Sequence, residues 1–177
     1  MLPVGMLMKE HRLIEKMIKA AKAELSRVRQ QKEININFID SFIDFLQIYA
    51  DRCHHGKEED ILFKALSQIN LSPEHKRAMN KLLDDHRRGR RTVGRLKKAK
   101  EGFCRGNKKS LVDIKQCLQE LVELYTGHIF KEDKHFFLPV MEYFDKGQQQ
   151  QMIAEFRQFD QKMIHEKYRR VVKRFIR

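Results

Sequence analysis

Breaks are scarce along this chain. Proline occurs only at Pro3, Pro73 and Pro139, and glycine eight times, in 177 residues. These residues are the strongest local punctuation of a fold, so few turns and long elements are expected. Apolar residues recur at helical spacing, and no stretch alternates like a strand. A first helix is predicted from about Pro3 to Gln31, with Leu7, His11, Ile14, Ile18 and Leu25 along one face and Pro3 in its first turn. A second runs from about Asn37 to Asn70, with Phe38, Phe42, Phe45, Ile48, Tyr49, Ile61 and Leu66 inward. Ser72-Pro73-Glu74 reads as a capped start for a third, which continues to about Arg105 and stops at Gly106-Asn107. A fourth spans about Ser110 to Phe144, kinked or broken by Pro139. A fifth runs from about Gln148 to the end, carrying Met152, Phe156, Phe159, Met163 and Val171. The expected fold is all-α: an antiparallel up-and-down four-helix bundle over about 3–144, with an additional C-terminal helix over about 148–176, in a single domain 1–177.

Hydrophobic residues at 41% suffice for one core, and charged residues at 34% predict a well-solvated surface. No stretch approaches the roughly 18 apolar residues of a spanning helix. Lys9, Glu10, His11 and Arg12 interrupt the apolar N-terminus before it could serve as a secretory signal. A cytoplasmic protein with no membrane partner is therefore expected. Cys53, Cys104 and Cys117 are odd in number and lack framework spacing, which predicts free thiols. The net charge is +13, with eleven Lys/Arg between Arg87 and Lys109 and six more from Lys167 to Arg177. Such density could meet phosphate backbones. Only Phe103 interleaves the first cluster, so a stacking platform is lacking, and a solvated basic face is the plainer reading.

The chemistry lies in the polar residues that interrupt the apolar faces. His54-His55-Gly56-Lys57-Glu58-Glu59-Asp60 and His128-Ile129-Phe130-Lys131-Glu132-Asp133 each contain His-x-x-x-Glu followed by a second acid. Residues four apart share a helix face. A lone histidine precedes each motif on an earlier helix: His11 lies 43 residues before His54, and His86 lies 42 before His128. The chain thus reads as two hairpins with matched ligands, an internal repeat of chemistry. Neutral imidazoles are good terminal ligands for iron, zinc or manganese. Glutamate can bridge two cations, and its charge offsets theirs in a core. His11, His54, Glu58, His86, His128 and Glu132 would leave open positions on two metals. By spacing alone, His55 with Glu59 could replace His54 with Glu58 after a rotation of the helix. Gly56, Gly89 and Gly127 beside these residues would permit close helix approach or merely mark local fraying. His75 and His135 are expected at the surface, and His165 packs, faces solvent or supports a ligand.

These motifs resemble the hemerythrin-like, or HHE cation-binding, family. Glu10-His11-Arg12 is similar to its opening histidine, and Cys53 to Phe63 to its second-helix signature. Asp85-His86-Arg87 and His128 to Asp133 are similar to its third- and fourth-helix signatures. The resemblance covers about residues 5 to 144, with the fifth helix like an extension found in some members. It implies two non-haem irons, carboxylate-bridged and sharing an oxo or hydroxo bridge, and it selects His54 with Glu58. Zinc or manganese could replace iron. In oxygen-carrying members a further histidine follows the third-helix one by four positions; here Arg90 stands there. The set therefore looks more like iron-centre repair proteins with four histidines and two glutamates, although their cysteine-bearing extra domain is missing. The expected partners are a small diatomic ligand such as oxygen or nitric oxide, or peroxide, with self-association left open. Binding, sensing or iron handling is the leading expectation. An enzyme acting on peroxide or nitric oxide, an iron-centre repair protein, and a basic nucleic-acid-binding module are the alternatives.

Overall fold

The structure, a computed structural model, describes residues 2–31, 33–161 and 165–176. Among these, all regular structure is helical. Helix α1 is Val4–Gln31. Helix α2 is a continuous rod over 36–67, built from α-helical Ile36–Asp44, wide π-helical turns at Phe45–His55 and Glu58–Phe63, and a final turn Lys64–Ser67. Helix α3 is Pro73–Cys104. Helix α4 covers 110–143, as Ser110–Lys131, a π-helical Glu132–Phe136, Phe137–Val140 and a 3-10 turn Met141–Tyr143. Helices α5, Lys146–Asp160, and α6, His165–Phe175, complete the chain.

The local signals explain most boundaries. The Ser72 hydroxyl accepts the His75 backbone N–H at 3.2 Å, and Pro73 takes the first helical position, where no amide donor is needed. Gly106 adopts φ +90°, which ends α3 where a side chain would be strained. Pro139 loosens α4 rather than breaking it. Its ring crowds the carbonyl of residue 135, and the wide turns at Glu132–Phe136 lie immediately upstream. The one C-terminal helix expected from about Gln148 is two described helices. It begins earlier, at Lys146, because Asp145 and Gln148 form a capping box. Met163 lies outside the described residues, as does the side chain of His165.

Helix α4 packs along both α1 and α3, while α2 contacts α1 and α3; α5 rests on α2, and α6 on α1 and α2. The apolar interior divides into two clusters. One contains Ile14, Ala50, Val93 and Leu121; the other contains Leu7, Leu62, Leu82 and Phe137. On each of the four long helices, the sequence between these two sets carries buried ionisable side chains: His11, His54 with Glu58, His86, and His128 with Glu132. A polar layer therefore crosses the middle of the core. Gly56 faces Phe159 of α5, whose ring would lie 2.8 Å from an added Cβ, so a side chain there would have to displace that ring. Gly127 has open space around it, and close helix approach does not account for that residue.

The apolar layers should dominate the stability of the metal-free protein. Phe42 is fully buried, and Phe42→Ala is expected to cost about 3–5 kcal/mol in urea denaturation. Phe130 is 57% exposed, and Phe130→Ala should stay within about 0.5 kcal/mol.

Candidate metal centre

All six residues expected as ligands meet in the polar layer, and all are buried. The two glutamates stand between pairs of imidazoles. Glu58 places Oε1 3.2 Å from His54 Nε2 and Oε2 3.3 Å from His86 Nε2. Glu132 places Oε2 3.2 Å from His11 Nε2 and Oε1 3.2 Å from His128 Nε2. Close as they are, these approaches lack hydrogen-bond geometry. Both oxygens of Glu58 and of Glu132, and Nε2 of His11 and His54, have no hydrogen-bond partner among the described residues.

Each ring is held from behind by an acid. His11 Nδ1 meets Asp133 at 2.7 Å, His54 Nδ1 meets Glu10 at 2.9 Å, and His86 Nδ1 meets Glu59 at 2.7 Å. His128 Nδ1 stands 3.6 Å from Asp85. An acid behind Nδ1 favours the proton there and leaves Nε2 as the inward donor atom. These acids follow the internal repeat. Glu10 and Asp85 precede the lone histidines and serve the motif histidine of their own hairpin, whereas Glu59 and Asp133 follow the motif glutamates and serve the lone histidine of the other. Lys57 and Lys131 are also repeat mates, and they bond to Glu10 and Asp85 respectively.

Two features were not foreseen from sequence. The first is Lys57, fully buried between Glu10 and Asp160 of α5. Two carboxylates offset the cost of burying its ammonium. They also anchor α5 behind His54. Cys53 is 3.8 Å from Asp160, but with the Lys57 cation already seated there, this group is an ion-pair cluster. The second is His55, which is buried beside the cluster and does not exchange places with His54. In wide π turns each residue advances less around the axis than in an α-helix, so neighbours can share a face. Both histidines fall in such a segment. Arg90 bonds to Asp51 at 2.7 Å and to Glu59 at 2.6 Å. With His55, His86, Asp51 and Tyr125 it lines a cavity of about 90 Å3, bringing a cation to the cluster's edge. His135 is exposed as expected, while His75 is half-buried and contacts the Tyr143 hydroxyl at 2.9 Å.

A family model of the hemerythrin HHE cation-binding domain matches residues 2–140. The chain belongs to this family. No curated protein and no solved structure matches it. The donor set fits the cation that the family description implies. Two groups of ligand atoms, His11, His54, Glu58 and Glu132 and then His55, Glu58, His86 and His128, each lie within 4.8 Å of one another. Unpaired buried oxygens and nitrogens each cost about 1–3 kcal/mol, a cost that a bound cation would offset. No helix among the described residues is long and apolar enough to cross a membrane.

Without metal, the layer is an array of ion pairs. Burial lowers the pKa of His54, but the Glu58 charge and the Glu10 hydrogen bond outweigh this and lift it to about 10. His128 is likewise lowered by burial and raised further by Glu132 and Asp85, to about 9. Burial and the neighbouring Glu132 charge push Glu58 up, yet the adjacent His54 and His86 hold it well below the ordinary carboxylate value. Because the folded His54 value lies above its ordinary 6.5, its contribution is complete below about pH 6.5 and disappears as pH rises through about 10. The metal-free protein should therefore lose stability across that window in denaturant titrations, with a shallower loss in His54→Gln. Metal uptake, which requires the neutral ring, should strengthen over the same window.

Proposed function

We propose that this is a non-haem di-iron protein that binds a small diatomic ligand, oxygen or nitric oxide, through His11, His54, Glu58, His86, His128 and Glu132. The observation that supports it most is the division of the carboxylate oxygens. Each glutamate turns one oxygen toward the His11–His54 half and the other toward the His86–His128 half. Two carboxylates so placed suit a bridged pair of cations better than one ion. A mixed imidazole and carboxylate set with positions to spare suits iron, whereas structural zinc favours a closed four-ligand shell. When bound, such a pair supplies a redox couple and open positions for a small ligand.

The residues of the chain have distinct roles in this reading. Glu58 and Glu132 offset cationic charge. The four histidines present Nε2, and Glu10, Glu59, Asp85 and Asp133 fix their rings and hold the Nδ1 protons. Leu7, Leu62, Leu82 and Phe137 on one side, and Ile14, Ala50, Val93 and Leu121 on the other, keep bulk water from the layer. The reading treats 1–177 as a single cytoplasmic domain whose first four helices run antiparallel, up and down, with α5 and α6 added at the C-terminal end. Four of the eleven basic residues at 87–109, Arg87, Arg90, Arg95 and Lys100, form ion pairs with Asp84, Asp51, Glu59, Glu120 and Asp40.

Protein loaded anaerobically with ferrous iron, desalted and exposed to air is expected to carry about two irons per chain. Mass spectrometry of the metals and near-ultraviolet absorption check this. Glu132→Ala and His54→Ala should lose the absorption bands and most of the iron. No iron above background in the wild-type protein would refute the reading. Steady turnover of peroxide or nitric oxide, in place of stoichiometric binding, would make the same site that of an enzyme.

A further inference from the structure

The repeat that organises the metal layer fails at one position. His54, Lys57, Glu58 and Glu59 have the counterparts His128, Lys131, Glu132 and Asp133, each 74 residues later, but the counterpart of His55 is Ile129. His55 is only 3% exposed. Its Nε2 is buried with no hydrogen-bond partner among the described residues, as are those of His11 and His54. Its Nδ1 faces Asp51 at 3.4 Å, the same construction that holds the other four rings. Arg90 donates to that Asp51 carboxylate and also to Glu59 behind His86, so one guanidinium steadies the acids behind two neighbouring rings.

We propose that His55 is a fifth imidazole ligand of the metal centre, supplied by α2 and positioned by the Asp51–Arg90 pair, and that it makes the two metal positions unlike. The inference rests on the di-metal reading above. His55 belongs to the half containing His86, His128 and Glu58, where the donor atoms converge within 4.8 Å. That half then has three imidazoles, and the half containing His11 and His54 has two. A packing role alone accounts for less. His55 does stack on His86, with centroids 3.8 Å apart, but stacking leaves the inward nitrogen unsatisfied in a core.

Proton NMR of the full-length protein, loaded with ferrous iron under anaerobic conditions, tests the assignment. Each metal-bound imidazole with a protonated Nδ1 gives one strongly shifted resonance that exchanges with solvent. Five such resonances are expected in the wild-type protein and four in His55→Gln, with iron still bound. Four in both proteins would overturn the assignment and leave the di-iron reading standing, whereas wild-type protein that takes up no iron would end both. Should His55→Gln lose its helical circular dichroism, Asp51→Asn replaces it. One shifted resonance should then move and iron affinity fall about tenfold, and an unchanged spectrum and affinity would overturn the proposal.

Discussion

Everything in this fold is arranged around two carboxylates buried with imidazoles in the middle of the core. Glu58 and Glu132 are inaccessible to solvent, and their oxygens lack hydrogen-bond partners among the described residues. Charge so placed must be offset nearby. Without metal, protonated histidines provide the offset; with metal, cations would. Either way, four helices must deliver side chains to one layer in register. The apolar clusters on either side of that layer give the burial that holds the register.

The layer is built outward as well as inward. Each imidazole has an acid behind it, and several of those acids have a base behind them: Arg12 at Asp133, Lys57 at Glu10, Lys131 at Asp85 and Arg90 at Glu59. Charge alternates from the centre to the surface, which fixes ring orientation without stranding a net charge in the core. Through Lys57 and Asp160 this chain of partners reaches α5, beyond the residues that the family match covers. The C-terminal extension is thereby tied to the back of one imidazole, with Gly56 making room for Phe159.

Departures from ideal helix geometry coincide with the ligands. The π-helical turns fall at Phe45–His55, Glu58–Phe63 and Glu132–Phe136, across the residues that must face inward together. Wide turns recur at functional sites because they re-aim side chains that a regular helix would spread. Here they let His54 and His55 both point into the core, and the loosening above Pro139 accompanies the placement of Glu132.

Local signals in the sequence determined the first four helices, the Ser72 start and Gly106 stop of α3, and the six residues that meet in the layer, but not the earlier start that the Asp145 capping box gives α5. Apolar periodicity, Ser72-Pro73, Gly106 and the twofold His and His-x-x-x-Glu pattern are local signals, and local physics carries them through to the fold. The tertiary structure alone decided which acid stands behind which ring, because Asp133 and His11, or Glu59 and His86, are brought together only when hairpins pack. It also decided the place of His55. A regular helical wheel with 3.6 residues per turn forces a choice between adjacent histidines. That choice dissolves once α2 takes wide π turns over Phe45–His55, where neighbouring side chains can share one face.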